Sequence, residues 1–255
     1  MTQQTRVRGR DRRTVLLGAV GALSLAAPGA RADWLSKGKD ALDSMTGGGS
    51  GGLTGGEIAK GLKEALRVAS TRVVDQVGQD GGYLQDPDIH IPLPGYLAQA
   101  RSVLQTVGAA GLLTDLEKQL NRAAETAAPE AERIFIDSIS AMTLDDAKRI
   151  LNGPDDAATQ YFRRTMTPDL RETFRPVVDQ HLAETGAMRT LDRTLESYEQ
   201  VPFAQGIKGN AQKRLVDHGL DGALSGIFHY MAKEEAAIRK DPAKRTTDLL
   251  KRVFG

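Results

Sequence analysis

The stretch from residue 210 to 240, NAQKRLVDHGLDGALSGIFHYMAKEEAAIRK, decides the fold class of this 255-residue chain. Three glycines interrupt it, Gly219, Gly222 and Gly226, and each costs about 1 kcal/mol relative to alanine inside a helix. That cost is tolerable where another helix crosses at close range, so we expect a crossing here. The large apolar residues share one face at the helical period: Leu220, Leu224, Ile227, Phe228 and Met231. The stretch predicts a long helix packed against others.

Helical patterns continue on both sides of this stretch. Thr54 with Glu57, and Thr114 with Glu117, have the spacing of capping boxes. Pro176 lies inside one pattern, where we expect a kink or a break because proline cannot donate a backbone hydrogen bond. Capping and stop residues predict helices over 54–77, 114–128, 129–142, 143–152 and 167–184, a further helix start near Asp155 or Asp156, and a last helix after residue 241.

Glycines and prolines make residues 81–94 irregular. Within them Ile89-His90-Ile91-Pro92-Leu93 alternates, a pattern typical of a short strand or an extended arm. Aromatic residues make up only 5% of the chain, so aliphatic side chains must form most of the core, which suits packed helices better than a β-sandwich. The predicted fold is an all-α, compact multi-helix domain with at most one short β-hairpin or extended arm near residues 82–93.

The start of the chain has the composition of a twin-arginine-type signal peptide. A basic front that includes Arg12-Arg13 precedes the apolar run Thr14–Leu25, and Ala30-Arg31-Ala32 supplies the small residues that a signal peptidase reads. The run is shorter than the roughly 18 apolar residues of a membrane span. Its glycines and Arg31 favour the twin-arginine route over general secretion. We predict a signal peptide over 1–32, a short helix and Gly-rich linker over 33–52, and a single helical domain over 53–255 that is soluble in the periplasm.

Composition excludes several classes of function. After residue 32 the chain has 28 basic and 32 acidic residues, a formal net charge of −4, which argues against nucleic acid and anionic lipid as partners. It has no cysteine, and none of its four histidines lies in a metal-ligand pattern such as H-E-x-x-H. We therefore expect no disulfide, no metal, no cofactor and no stable membrane span once the signal is removed.

The candidate site consists of polar side chains that complete no apolar stripe. Asn121 and Glu125 lie opposite the apolar face of their helix, where they are either solvated or buried by a second helix that supplies hydrogen-bond partners. Glu235 and Arg239 have the spacing of an ion pair on a helix surface. The binding hypothesis joins these motifs into one polar site: Asn121, Arg122, Glu125, Glu234, Glu235, Arg239, Arg245 and Thr246.

The same motifs carry a resemblance. The strings NRAAE (121–125), ILNG (150–153) with AATQYF (157–162), and IRKDP (238–242) with the residues up to 255 resemble a bacterial family catalogued only as domain of unknown function 4197. The strings GLKEAL (61–66) and IPLP (91–94) fit it as well, so the resemblance runs from about residue 53 to 255. It implies an exported, helical envelope protein and assigns no activity.

Three functions fit these observations. The first is a non-enzymatic binding or envelope-maintenance protein with a polar cleft between helices, acting on an unknown ligand or envelope protein. The second is a carboxylate-dependent hydrolase in which Glu125 and Glu234 serve as acid and base, which requires two carboxylates about 5–10 Å apart in one cleft. The third is a structural or chaperone-like partner of another envelope protein, which requires a large exposed apolar groove.

Replacing both Arg12 and Arg13 with Lys should stop export while leaving a folded protein in the cytoplasm, because the twin-arginine route requires both guanidinium groups. Cell fractionation measures the export, and mass spectrometry of the parent should find a mature N-terminus at Asp33. Unchanged export of the double variant, or a different N-terminus, would contradict the assignment.

Overall fold

A computed structural model describes residues 54–98, 101, 105, 110–199 and 210–241. These residues belong to the compact unit Leu53–Gly255. The signal peptide, the glycine linker and the last helix predicted above fall outside the described ranges. Within those ranges the chain forms helices and no strand, which confirms an all-α, multi-helix domain: α1 (Gly55–Gly78), α2 (Gly95–Ala98), α3 (Ala110–Ala127), a 3-10 turn (Ala128–Glu130), α4 (Ala131–Ala141), α5 (Leu144–Leu151), α6 (Ala157–Glu184), α7 (Ala187–Glu199) and α8 (Ala211–Lys240).

Helix α8 packs against the other three long helices of the described ranges. It contacts α6, α1 and α3, while α3 also contacts α7, and α1 contacts α4 and α5. The apolar stripe of α8 is buried as predicted, with Leu220, Ile227 and Met231 fully inaccessible. Phe135 of α4 and Phe162 of α6 meet edge to face, with ring centroids 5.2 Å apart. None of the described helices has the length and apolar content that crossing a bilayer requires.

Two helix starts follow local capping chemistry. At α1 the Thr54 amide donates to the Glu57 carboxylate at 2.9 Å, and the Glu57 amide donates to the Thr54 hydroxyl at 3.3 Å, which confirms the capping box. Thr143 and Asp146 make the equivalent pair of hydrogen bonds at the start of α5, at 3.0 and 3.1 Å. Both starts are fixed by residues within one turn, so the sequence alone predicts them.

Two predicted boundaries are wrong. Helix α3 includes residues before Thr114, because the fully buried Leu113 extends its apolar stripe toward the N-terminus. Helix α6 starts at Ala157, as predicted near Asp156, but no new helix starts at 167, because α6 continues through Pro168 and Pro176 without a break. Its buried residues recur every four positions across both prolines, so core burial outweighs the hydrogen bonds that the prolines remove: Phe162, Met166, Leu170, Phe174, Val178 and Leu182.

The irregular segment between α1 and α2, residues 79–94, consists mostly of turns up to residue 89 and has no regular structure over 90–94, and we call it the arm. It lies along the glycine face of α8. A Cβ on Gly222 would lie 2.8 Å from the side chain of Ile91, and a Cβ on Gly226 would overlap the ring of Tyr83. Only Gly219 faces a helix, where its Cβ would lie 2.7 Å from Leu120 of α3. The prediction of a crossing helix is therefore correct at Gly219, whereas Gly222 and Gly226 make room for the arm.

Candidate functional site

Asn121 binds the backbone of the arm. Its side-chain oxygen accepts the amide of Ile91 at 2.8 Å, and its side-chain nitrogen donates to the carbonyl of Ile91 at 2.8 Å. The same nitrogen donates to the carbonyl of Glu117 at 2.9 Å, one turn earlier in α3. Because Asn121 has no exposed surface, these bonds are shielded from water. The side-chain amide of Asn121 supplies Ile91 with one donor and one acceptor, as the backbone of a neighbouring β-strand would.

Glu125 binds the arm one helical turn further along. One carboxylate oxygen accepts the amides of Tyr83 at 3.0 Å and Leu84 at 2.9 Å. The other oxygen accepts from the guanidinium of Arg122 at 2.8 Å, and Arg122 also pairs with Asp80. Glu125 is 4% exposed, so a buried carboxylate is compensated by two backbone donors and one cation. We call Asn121, Arg122 and Glu125 the arm cluster.

A histidine extends these contacts to the outer end of α3. His90 faces the carbonyl of Leu84 at 3.1 Å through Nδ1 and the carboxylate of Glu117 at 2.8 Å through Nε2. Glu117 in turn accepts from the guanidinium of Arg101 at 2.9 Å. The arm is thus bonded to α3 at three successive positions.

Helix α8 binds the opposite side of the arm. The hydroxyl of Tyr83 donates to the carbonyl of Ala223 at 2.6 Å, and burial raises the pKa of Tyr83 far above its usual value. The hydroxyl of Tyr230 donates to Asp86, and this hydrogen bond with burial raises the pKa of Tyr230 to about 12. Both phenols therefore remain neutral donors. Two more α8 side chains bond the arm: His218 to the carbonyl of Pro92 at 2.7 Å, and Lys233 to Asp88 at 2.6 Å.

A second cluster joins three helix ends. Glu235 accepts the amides of Ala158 at 2.8 Å and Thr159 at 2.9 Å, two unpaired donors at the start of α6. Arg239 bonds Glu235 at 2.9 Å and donates to the carbonyl of Ile150, at the end of α5, at 2.7 Å. A carboxylate at a helix start and a cation at a helix end both complement the helix dipole. We call Glu235 and Arg239 the helix-end cluster.

The helix-end cluster corrects one expectation about capping. Asp156 occupies the N-cap position of α6, but its side chain makes no capping hydrogen bond. It accepts from Gln160 at 2.9 Å instead, and Asp155 pairs with Lys240. Glu235 supplies the cap from a distant part of the chain, which no local spacing rule detects.

The sequence-predicted site residues fall into separate places. The hydrogen bonds of the arm cluster and those of the helix-end cluster have no residue in common. Glu234 approaches Arg72 of α1 at 3.8 Å. Arg245 and Thr246 lie outside the described residues, and a ligand-binding role for the whole set stays a prediction. In the part of the chain that the structure describes, no group of three or more His, Asp or Glu is arranged to hold a metal ion.

Sequence reasoning missed a cleft between α4 and α6 that has a volume of about 640 Å³. Its polar side chains are spread along two solvated helix faces, so nothing in the sequence distinguishes them from an ordinary surface. Ser138 and Thr165 meet across it with their hydroxyl oxygens 3.2 Å apart. We call it the α4–α6 cleft, and its lining consists of Arg133, Ile134, Asp137, Ser138 and Ala141 from α4, and Tyr161, Thr165, Met166, Asp169, Glu172 and Thr173 from α6.

Fold and clusters together define an all-helical domain whose charged motifs bind its own backbone. A family model matches residues 52–255, and the chain belongs to that family, described as Protein of unknown function (DUF4197). The resemblance seen in the motifs is thereby confirmed. No curated protein and no solved structure matches the chain.

Glu125→Ala should lower the free energy of unfolding by about 2–4 kcal/mol, because the amides of Tyr83 and Leu84 both lose their acceptor, at about 1–3 kcal/mol for each buried group. Asn121→Ala should cost about 1–3 kcal/mol for each buried group left without a partner. Denaturant melts should show non-additive losses in the Asn121/Glu125 double variant, since both residues hold one segment. The Glu125/Glu235 double variant should be additive to within about 0.5 kcal/mol.

The matched control for these melts is Asp115→Ala, which removes an exposed carboxylate from the same helix and should change stability by less than about 0.5 kcal/mol. If Glu125→Ala lowers the free energy of unfolding as little as Asp115→Ala does, the carboxylate of Glu125 does not hold the arm.

Proposed function

We propose that the protein is an exported, non-enzymatic binding protein of the periplasm, and that its ligand occupies the α4–α6 cleft. The observation that carries this proposal is the volume of the cleft, about 640 Å³, which falls in the range of small-molecule sites, together with side chains that remain open to a ligand. The composition of residues 1–32 supports export, and the double-lysine variant described above tests it.

Acid–base catalysis has less support than binding. The carboxylate of Glu125 already accepts from two backbone amides and a guanidinium, and Glu234 lies near Arg72 in another part of the fold. The cleft carboxylates of Asp137, Asp169 and Glu172 are exposed. An exposed helix face does not exclude water from a reacting group.

A chaperone-like role has less support as well. Among the residues that the structure describes, only Ile136 and Leu144 are large apolar residues with exposed surface, 41% and 43%. Apolar patches that capture other proteins are larger and contiguous. The surface favours a ligand recognised by polar and charged groups.

A ligand in the cleft should raise the melting temperature of the parent chain and fail to do so when the cleft is filled. At a hundredfold excess over Kd, binding adds about 2.7 kcal/mol, which corresponds to about 5–10 °C for a domain of this size. The test is a thermal-shift screen of sugars, amino acids, amines, small acids and nucleotides, followed by native mass spectrometry of each hit.

Two variants locate the binding. Thr165→Phe places a ring in the cleft, and Gln180→Phe places the same ring on an exposed position of α6 outside it. The shift should vanish in Thr165→Phe and persist in Gln180→Phe. Equal shifts in both variants, or chemical conversion of the bound compound, would contradict the proposal.

A further inference from the structure

We infer that residues 85–90, the stretch of the arm between Leu84 and Ile91, form a pH-dependent flap that protonation of His90 fastens to α3. Both ring nitrogens of His90 face oxygen acceptors. Nδ1 lies 3.1 Å from the carbonyl of Leu84, and Nε2 lies 2.8 Å from the carboxylate of Glu117. Only the doubly protonated ring donates to both. The neutral ring has a single N–H, so one of the two contacts then loses its hydrogen bond.

Other side chains hold the two ends of the flap. Glu125 accepts the amide of Leu84 at 2.9 Å, and Asn121 bonds Ile91 through both polar atoms of its side-chain amide. Residues 88–92 form one wall of a cavity of about 250 Å³ against α8. Loss of the imidazole proton therefore loosens the middle of the arm while its ends stay in place, and it opens that cavity.

The charged groups of α3 and its approach favour the protonated ring. One carboxylate oxygen of Glu117 faces His90, and the other accepts from the guanidinium of Arg101 at 2.9 Å. Hydrogen bonds between a cation and a carboxylate are about twice as strong as neutral ones. Protonated His90 thus completes a bridge in which Glu117 binds one cation through each of its oxygens.

The two histidines of α8 that line the same cavity do not oppose this response. His218 donates through Nε2 to the carbonyl of Pro92 at 2.7 Å, which it does in both charge states of the ring. Nε2 of His229 lies 3.8 Å from the carboxylate of Asp88, so a proton on this ring adds an attraction. Lys233 bonds the same carboxylate at 2.6 Å and lowers the pKa of Asp88, which stays ionised where histidines titrate.

The direction of the pH dependence follows from these bonds. Folding gives the charged ring of His90 two acceptors that the unfolded chain does not hold in place, so the flap is fastened at acidic pH. It loosens as the pH rises through the ordinary range of histidine, about 6–7. His181, which contacts Gln119 of α3, has the opposite sign. Burial lowers the pKa of His181, so its contribution to stability decreases as the pH falls.

Amide hydrogen exchange of the full mature chain at about pH 5.5 and about pH 8 tests the inference. The reporter is the amide of His90, which donates to the carbonyl of Asp86 at 2.8 Å within the flap, and the reference is the amide of Ile91. After correction for intrinsic exchange, protection of the reporter should fall about tenfold or more at the higher pH, since a charge-assisted hydrogen bond is lost. Protection of Ile91 should stay constant. Nitrogen NMR should find protons on both ring nitrogens of His90 at the lower pH.

Three variants identify the titrating group. His90→Gln keeps a donor that does not titrate, so protection at position 90 should be the same at both pH values. His218→Gln is the matched control on the same segment and should keep the fall. Glu117→Gln keeps an acceptor oxygen without its charge and should reduce the fall, which gives a second test if His90→Gln does not fold.

Three results would overturn the inference. The first is equal protection of the His90 amide at both pH values in the parent chain. The second is a fall that persists in full in His90→Gln or Glu117→Gln. The third is a fall that disappears in His218→Gln, which would assign the response to a different histidine.

Discussion

The fold depends on how the backbone amides of a buried, non-helical segment find hydrogen-bond partners. Tyr83 and Ile91 of the arm are buried between α3 and α8, where their amides cannot bond to water. A buried amide without a partner costs about 1–3 kcal/mol, and where the turns of the arm leave an amide without a backbone acceptor, side chains supply one. Asn121 does this for Ile91, and Glu125 does it for Tyr83 and Leu84. Two residues of one helix face thereby determine the path of the segment.

The other unusual features of the sequence follow from that path. Gly222 and Gly226 weaken α8 as an isolated helix, but they provide the space that Ile91 and Tyr83 occupy. The helix-end cluster applies the same chemistry elsewhere, since Glu235 binds the unpaired amides at the start of α6. In both places the charged motifs that carry the family resemblance bind backbone groups of the chain itself. Both motifs therefore serve the folding of the chain.

Local sequence rules predicted what is locally determined. The capping box at Thr54, the long helix α8 and the all-α class required only spacing and composition. The rules failed where distant contacts decide. The first amides of α6 are capped by Glu235 instead of by Asp156, and the passage of α6 through Pro168 follows from the apolar stripe that the helix buries. Asn121 was recognised as a polar residue that needs partners, but its partner in the arm is set by tertiary packing. The cleft was missed because its lining has the composition of any solvated helix face.

Amide hydrogen exchange of Ile91, Tyr83 and Leu84 tests the central claim most directly. If the arm is held by Asn121 and Glu125, these three amides should exchange only through global unfolding, as slowly as amides in the middle of α8. Their slow exchange should be lost first at Tyr83 and Leu84 in Glu125→Ala, while Ile91 stays the better protected. Exchange of all three amides in the parent chain at the rate of an exposed loop would contradict the account.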